Sequence, residues 1–242
     1  MPANAALLIA VIVIFSLISL GTFVLVLSSA RKQTAQKASV AQALGLTPVP
    51  DAPDLLQRLA VLHDTKRPER YTLQHVFQRR LPQGEVYYFS LTEGHFDRST
   101  SGGPRTTQYA VDTDALAFIS PTWQLPRFKA TPRLGGRGQL AGLANRLAEA
   151  ALEIKHDVIK FPHILNLDEQ YLIATPETPA SSVTLPDGFL RVLASYPNLQ
   201  LNAGGDTLVL AYANTVTHPP DEQRMTALYN IGLQLTREIE AR

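Results

Sequence analysis

The sequence predicts an α+β fold: a membrane-spanning N-terminal helix, then a soluble domain of antiparallel β-hairpins packed with helices and closed by an amphipathic C-terminal helix. Three observations carry this. An uncharged apolar run extends from Ala5 to Leu27. Segments of alternating apolar and polar residues are joined by short turns at Pro82-Gln83-Gly84 and Gly204-Gly205-Asp206, the pattern of hairpins rather than of a doubly wound parallel sheet. The last twenty or so residues repeat apolar positions at helical spacing.

The N-terminal run is too long for the ~7–15-residue apolar core of a cleaved signal, and "MPANA" has no basic side chain. At ~1.5 Å per residue it covers a hydrocarbon layer of ~30 Å, so residues 1–30 read as a retained transmembrane anchor. Arg31, Lys32 and Lys37 follow it and no charged side chain precedes it. Basic flanks stay on the cytoplasmic side, which places the N-terminus outside and the rest of the chain in the cytoplasm. Ser16, Ser19 and Gly21, with Ala6 and Ala10, are small enough for a second helix to approach.

Residues 31–53 read as a juxtamembrane helix and a Pro-rich joint. Val40 and Leu44 sit one turn apart, Gly45 closes the helix, and "TPVPDAP" stiffens the link. Residues 54–242 then form the soluble α+β domain, with a sub-boundary near 134–139 at "LGGRGQ". "PDLLQRLAVLHD" is a short helix with Leu55, Leu59 and Leu62 as its stripe. In the first hairpin Tyr71, Leu73, His75 and Phe77 share one face by alternation, and Tyr87 and Phe89 share one on the return strand. "TTQYAVDTDALAFISPTWQLPRFKATPR" supplies further short strands, and "LAGLANRLAEAALEI" a helix. "HDVIKFP" and "EQYLIATP" are extended, "LPDGFLRVLASYP" is helical, and "NLQLNAGGDTLVLAYAN" is the second hairpin. The terminal helix follows "PPDEQ", with Met225, Leu228, Leu235 and Ile239 on its buried side. That stripe is expected to pack near Leu208 and Leu210.

Charge is uneven. Residues 31–80 hold nine Lys or Arg against four acids, and the rest of the chain is acidic on balance. A basic zone next to the anchor suits anionic lipid headgroups; so modest an excess does not point to nucleic acid. With no cysteine in 242 residues, disulfides, thiolate metal sites and cysteine nucleophiles are excluded.

Candidate chemistry is sparse. The six histidines form no His-Glu-x-x-His motif. In "EGHFDRSTSGGPR", Glu93, His95, Asp97 and Ser99 lie close together, but the Gly/Ser/Thr-rich composition reads as a surface loop. "LGGRG" lacks the ending of a P-loop and the spacing of a dinucleotide fingerprint. "HDVIKFPH" reads as a core strand flanked by His156 and His163, and Tyr196, Tyr212 and Tyr229 as core-edge residues. No Gly-x-Ser-x-Gly elbow occurs. The sequence therefore assigns no catalytic, cofactor-binding or metal-ligating residue, no cofactor and no small-molecule substrate.

The order of "ALGLTPVPDAPDLLQRLAVL", "LPRFKATPR", "IKFPHILNLDEQYLIATPE", "PDGFLRVLASYPNLQLNAGGDTLVLAY" and "PPDEQ" resembles an uncharacterised family of bacterial single-span membrane-anchored proteins over most of residues 41–240. The resemblance implies one inner-membrane helix and a soluble α+β domain, and carries no site residue. The function expected is that of a non-enzymatic accessory, assembly or scaffold subunit on the cytoplasmic face of a larger membrane complex, respiratory or photosynthetic, with the bilayer and a membrane protein as partners. Two alternatives make distinct structural demands. A membrane-surface enzyme needs a pocket lined by His95, Asp97 or Asp112; a ligand-binding sensor needs an apolar cavity between sheet and helix.

Overall fold

The computed structural model describes residues 32, 34–63, 71–96, 107–109, 113–133, 156–213 and 221–241, with backbone alone at 93–96 and 107–109. Helix α1 covers residues 34–43. Strand β1 (Thr47–Pro48), helix α2 (Pro53–Leu62) and strands β2 (Tyr71–Leu81), β3 (Gly84–Phe96), β4 (Thr107–Tyr109), β5 (Thr113–Ile119) and β6 (Leu125–Pro132) follow. Then come β7 (Asp157–Ile159), the short α3 (Leu167–Gln170), β8 (Tyr171–Thr175), α4 (Asp187–Ala194), β9 (Leu199–Gly205), β10 (Thr207–Tyr212) and α5 (Glu222–Glu240).

All the described strands join one antiparallel sheet of ten, in the order β1-β2-β3-β5-β10-β9-β6-β8-β7, with β4 beside β3. This corrects the expected fold class. The hairpins are not separate units packed with helices. They fuse because β5 and β10, far apart in sequence, pair along five residues from Thr207↔Ile119 to Ala211↔Ala115, and β6 pairs with β9. Both central strands are apolar at nearly every position, "TDALAFI" and "TLVLAY", as strands covered on two faces must be. The sheet therefore continues across the sub-boundary expected near 134–139, which itself lies outside the described residues. So do the apolar run 5–27 and the helix expected at "LAGLANRLAEAALEI". Among the described residues no helix is long and apolar enough to cross a membrane, so the transmembrane helix of the expected fold class has no counterpart among them.

The first face of the sheet carries the larger core. Leu116, Phe118, Leu201, Leu208 and Leu210 meet Val40, Ala41 and Leu44 of α1, Phe189, Leu190 and Leu193 of α4, and Met225, Leu228 and Leu235 of α5. Helix α5 begins at Asp221, whose carboxylate accepts from Gln223 N at 3.0 Å. It lies close to the sheet: a Cβ at Gly232 would stand 2.1 Å from Phe118 and 3.1 Å from Leu210. The second face is covered by α2, with Leu55 and Leu59 over Phe89, Ala117, Ile119 and Val209.

Two details differ from the periodicity reading. His75 takes φ 51° in a bulge between Gln74 and Phe77. The extra residue reverses the alternation, so Leu73 packs on the second face and Phe77 on the first. Helix α1 ends at Gly45, φ 67°, as expected, but it is more than a juxtamembrane spacer. Val40, Ala41, Leu44 and Leu46 are all core residues.

Candidate functional site

The densest polar constellation lies under α1. Lys37 projects from the helix into the first face, where its Nζ donates to Ser90 Oγ at 2.6 Å and stands 3.0 Å from Asp114 Oδ1. Ser90 Oγ donates to the same oxygen at 2.6 Å, and Tyr88 OH reaches it at 3.4 Å. The side chains of Lys37 and Asp114 are 8% and 10% exposed, and Ser90 is fully buried. Burial, then the Asp114 charge and hydrogen bond, push the Tyr88 phenol far above its ordinary range.

A serine and a lysine at this distance invite comparison with a nucleophile and its base. The chemistry points elsewhere. Activating a serine requires a group able to take its proton, whereas an ammonium held by a buried carboxylate has no lone pair to offer. The hydroxyl proton is directed at Asp114, and no substrate atom reaches a fully buried Oγ. The cluster is a satisfied ionic lock that pins α1 to β3 and β5. Lys37, read in the sequence as a flanking charge, thus serves the fold rather than the lipid surface. Its spacing with Val40, Ala41 and Leu44, at i, i+3, i+4 and i+7, was the available signal.

The residues singled out in the sequence do not converge. Glu93 and His95 lie on β3 by backbone, with His95 opposite Gln108 of β4; Asp97, Ser99 and Asp112 lie outside the described residues, as does "LGGRG". His156 is partly buried before β7, its Nδ1 without a partner among the described residues. His163 instead stands at the surface, its Nε2 3.1 Å from Asp187 Oδ1 of α4. Tyr229 is buried, stacking obliquely on Phe118 at 6.0 Å, and Tyr212 lies under the Arg224 guanidinium at 4.9 Å. Among the described residues no three of His, Asp and Glu group closely enough to hold a metal.

Several cavities adjoin the sheet, and two of them bear on the ligand-binding alternatives. One, about 280 Å³, lies between the C-terminal end of α5 and the β2–β3 turn, with Phe118, Trp123, Leu233 and Arg237 on its walls. The other, about 340 Å³, opens on the second face beyond the end of α2, and His63, Lys129 and Asn202 stand on its walls. His63 is depressed to about 4 by burial and by the Lys129 charge, so its imidazole is neutral. It lies 5.2 Å from the Tyr71 ring. Sequence reasoning passed over these residues because His63 ends a helix and Lys129 and Asn202 occupy the polar positions of alternating strands.

No protein-family model matches the chain, and no curated protein matches it. Among solved structures, the crystal structure of the mycobacterial trehalose monomycolate transport factor A, TtfA, aligns with a TM-score of 0.46 at 12% identity, covering 86% of this chain and 92% of that one. A likeness at that level carries no argument about fold or function.

Proposed function

We propose that this chain is a non-enzymatic accessory, assembly or scaffold subunit, attached to the bacterial inner membrane through its apolar run 5–27, with its sheet on the cytoplasmic face of a larger membrane complex. The observation that supports this reading is the lock under α1. The helix that leads out of the N-terminal region is not a loose tether. Lys37 is ion-paired inside the sheet and Val40, Ala41 and Leu44 are core. With that helix in the domain's own core, only the few residues between 27 and 34 separate the sheet from the proposed attachment, which suits a positioning subunit. Arg31 and the exposed Lys32 remain as the basic flank that favours the cytoplasmic side.

Extraction of native membranes in mild detergent, followed by capture through a C-terminal tag, tests the reading. A membrane complex should co-purify with the wild-type chain at fixed stoichiometry. A chain recovered alone from membranes that retain their complexes overturns it, as does activity of a reporter, fused after Arg242, that works only outside the cytoplasm.

A further inference from the structure

The chain's single tryptophan stands where two cavities meet. Trp123 lies in the β5–β6 connection and is 7% exposed. On one side of it is the 280 Å³ cavity, walled by Phe118 and Leu233. On the other is a cavity of about 710 Å³, walled by Leu125, Leu185 and Ile239 and reaching the segment before α4. Gln83, Trp123 and Glu240 line both, so the two form one elongated cleft across the C-terminal end of α5.

Hydrogen-bonding groups in the smaller cavity are lopsided. Each hydroxyl and carboxylate side chain that lines it is engaged. Glu85 accepts from Gln78 Nε2 at 2.8 Å and from Tyr87 OH at 2.7 Å. Ser120 Oγ donates to Gln83 O at 2.7 Å, and Thr236 Oγ1 donates to Leu233 O at 3.0 Å. The amide nitrogen of Gln83 donates to the Glu240 carboxylate. Two side-chain donors remain. The Trp123 indole N–H is shielded from water and meets no acceptor among the described residues. Arg237, exposed on α5, makes no ion pair or side-chain hydrogen bond among them. A buried N–H without an acceptor carries an uncompensated desolvation cost, which an entering acceptor removes.

We infer that this cleft docks a proline-rich segment of a partner protein, extended in the polyproline conformation, with one of its carbonyls accepting from the Trp123 N–H and its rings lodged in the cavities on either side. Cavity space adjoins the indole on two sides, so a small turn of the ring brings the N–H to an entering carbonyl. A prolyl peptide bond has a carbonyl and no N–H, and in the polyproline conformation the carbonyls make no internal hydrogen bonds. Such a segment brings acceptors to the unpaired donors and asks for none, and aromatic-lined grooves suit its apolar rings. An acidic ligand would meet two carboxylates, Glu85 and Glu240, against the one guanidinium of Arg237. An ordinary extended peptide would bring N–H groups to acceptors that are already engaged. The assignment adds a partner to the scaffold reading but does not rest on it, since the cleft belongs to the sheet and its helices alone.

The test is titration of the full chain in detergent with acetylated, amidated decaproline. Binding is followed by the emission of Trp123, which no second tryptophan obscures, and by the polarisation of a fluorescein-labelled copy of the peptide. Peptides of the same length, one of alternating Gly and Ser and one of alternating Pro and Asp, serve as flexible and acidic comparisons. Decaproline should bind saturably with a Kd of about 0.5 mM or tighter, and the other two about tenfold more weakly or not at all. Trp123→Phe keeps a ring and removes the N–H, and should weaken decaproline about tenfold by polarisation. Circular dichroism on heating checks that the variant is folded. Should it fail to fold, Arg237→Met, at an exposed position, serves in its place and should weaken binding about threefold. Equal binding of decaproline and either comparison peptide, binding unchanged in a folded variant, or no saturable signal with decaproline up to about 5 mM overturns the assignment. None of these outcomes bears on whether a membrane complex co-purifies with the chain.

Discussion

Replacing Lys37 by Met leaves a hydrocarbon stem of similar length in the α1 stripe and removes only the ammonium. Asp114, 10% exposed at its side chain, then keeps the hydrogen bonds from Ser90 and Tyr88 but loses the counter-charge 3.0 Å away. Removing one partner of a buried pair typically costs ~3–5 kcal/mol, because the other charge stays desolvated. That is a large share of the ~5–15 kcal/mol of an ordinary domain. Asp114→Leu strands the ammonium instead and should cost a similar amount. The double variant buries no charge, and its residual penalty is that of the Ser90 and Tyr88 hydroxyls. It should therefore cost clearly less than the two single changes together, by ~1–3 kcal/mol. Urea unfolding followed by circular dichroism at pH 7 measures all four chains. If each single change costs under ~1 kcal/mol and the two simply add, the pair is hydrated and the lock does not hold α1.

The same structure fixes where the chain can be shortened. Residues 34–242 should fold cooperatively, whereas 50–242 lacks Val40, Leu44 and Leu46, worth ~1.5–3 kcal/mol each, and should aggregate or melt broadly in a thermal scan. His63 makes stability depend on pH. Its folded value of about 4 lies below the ordinary 6.5, so between these values the unfolded chain binds more protons. Stability should fall as pH drops through that window, by up to ~3 kcal/mol, and His63→Gln should remove that part of the slope in denaturant titrations run at each pH. Leu228→Ala, at a fully buried position of α5, should cost ~2–5 kcal/mol. An unchanged unfolding midpoint would mean that α5 docks on a partner rather than on the sheet.

Local elements were legible because their signals are local. The turn at Gly204-Gly205, the stripe Met225, Leu228 and Leu235, and the stop at Gly45 each depend on neighbours a few residues apart. The sheet order was not, because the β5–β10 and β6–β9 ladders join residues about ninety and seventy-five positions apart, and two apolar strands advertise no particular partner. The bulge at His75 was hidden for a related reason. Alternation at Tyr71, Leu73, His75 and Phe77 looks uninterrupted until one residue turns to positive φ and exchanges the faces.

The functional residues were obscured by the meaning that position gives to a polar side chain. Lys37 looked like a flank charge and Asn202 like the solvent side of a strand, yet both are buried, on opposite faces of one sheet. Around Lys37 the donors and acceptors are matched within the protein, which is what a buried ionic group needs to hold a helix in place. The first face therefore holds α1 by a matched ionic group as well as by its apolar stripe, and the position of Lys37 one turn before Val40 and Ala41 is what brings its charge over Asp114.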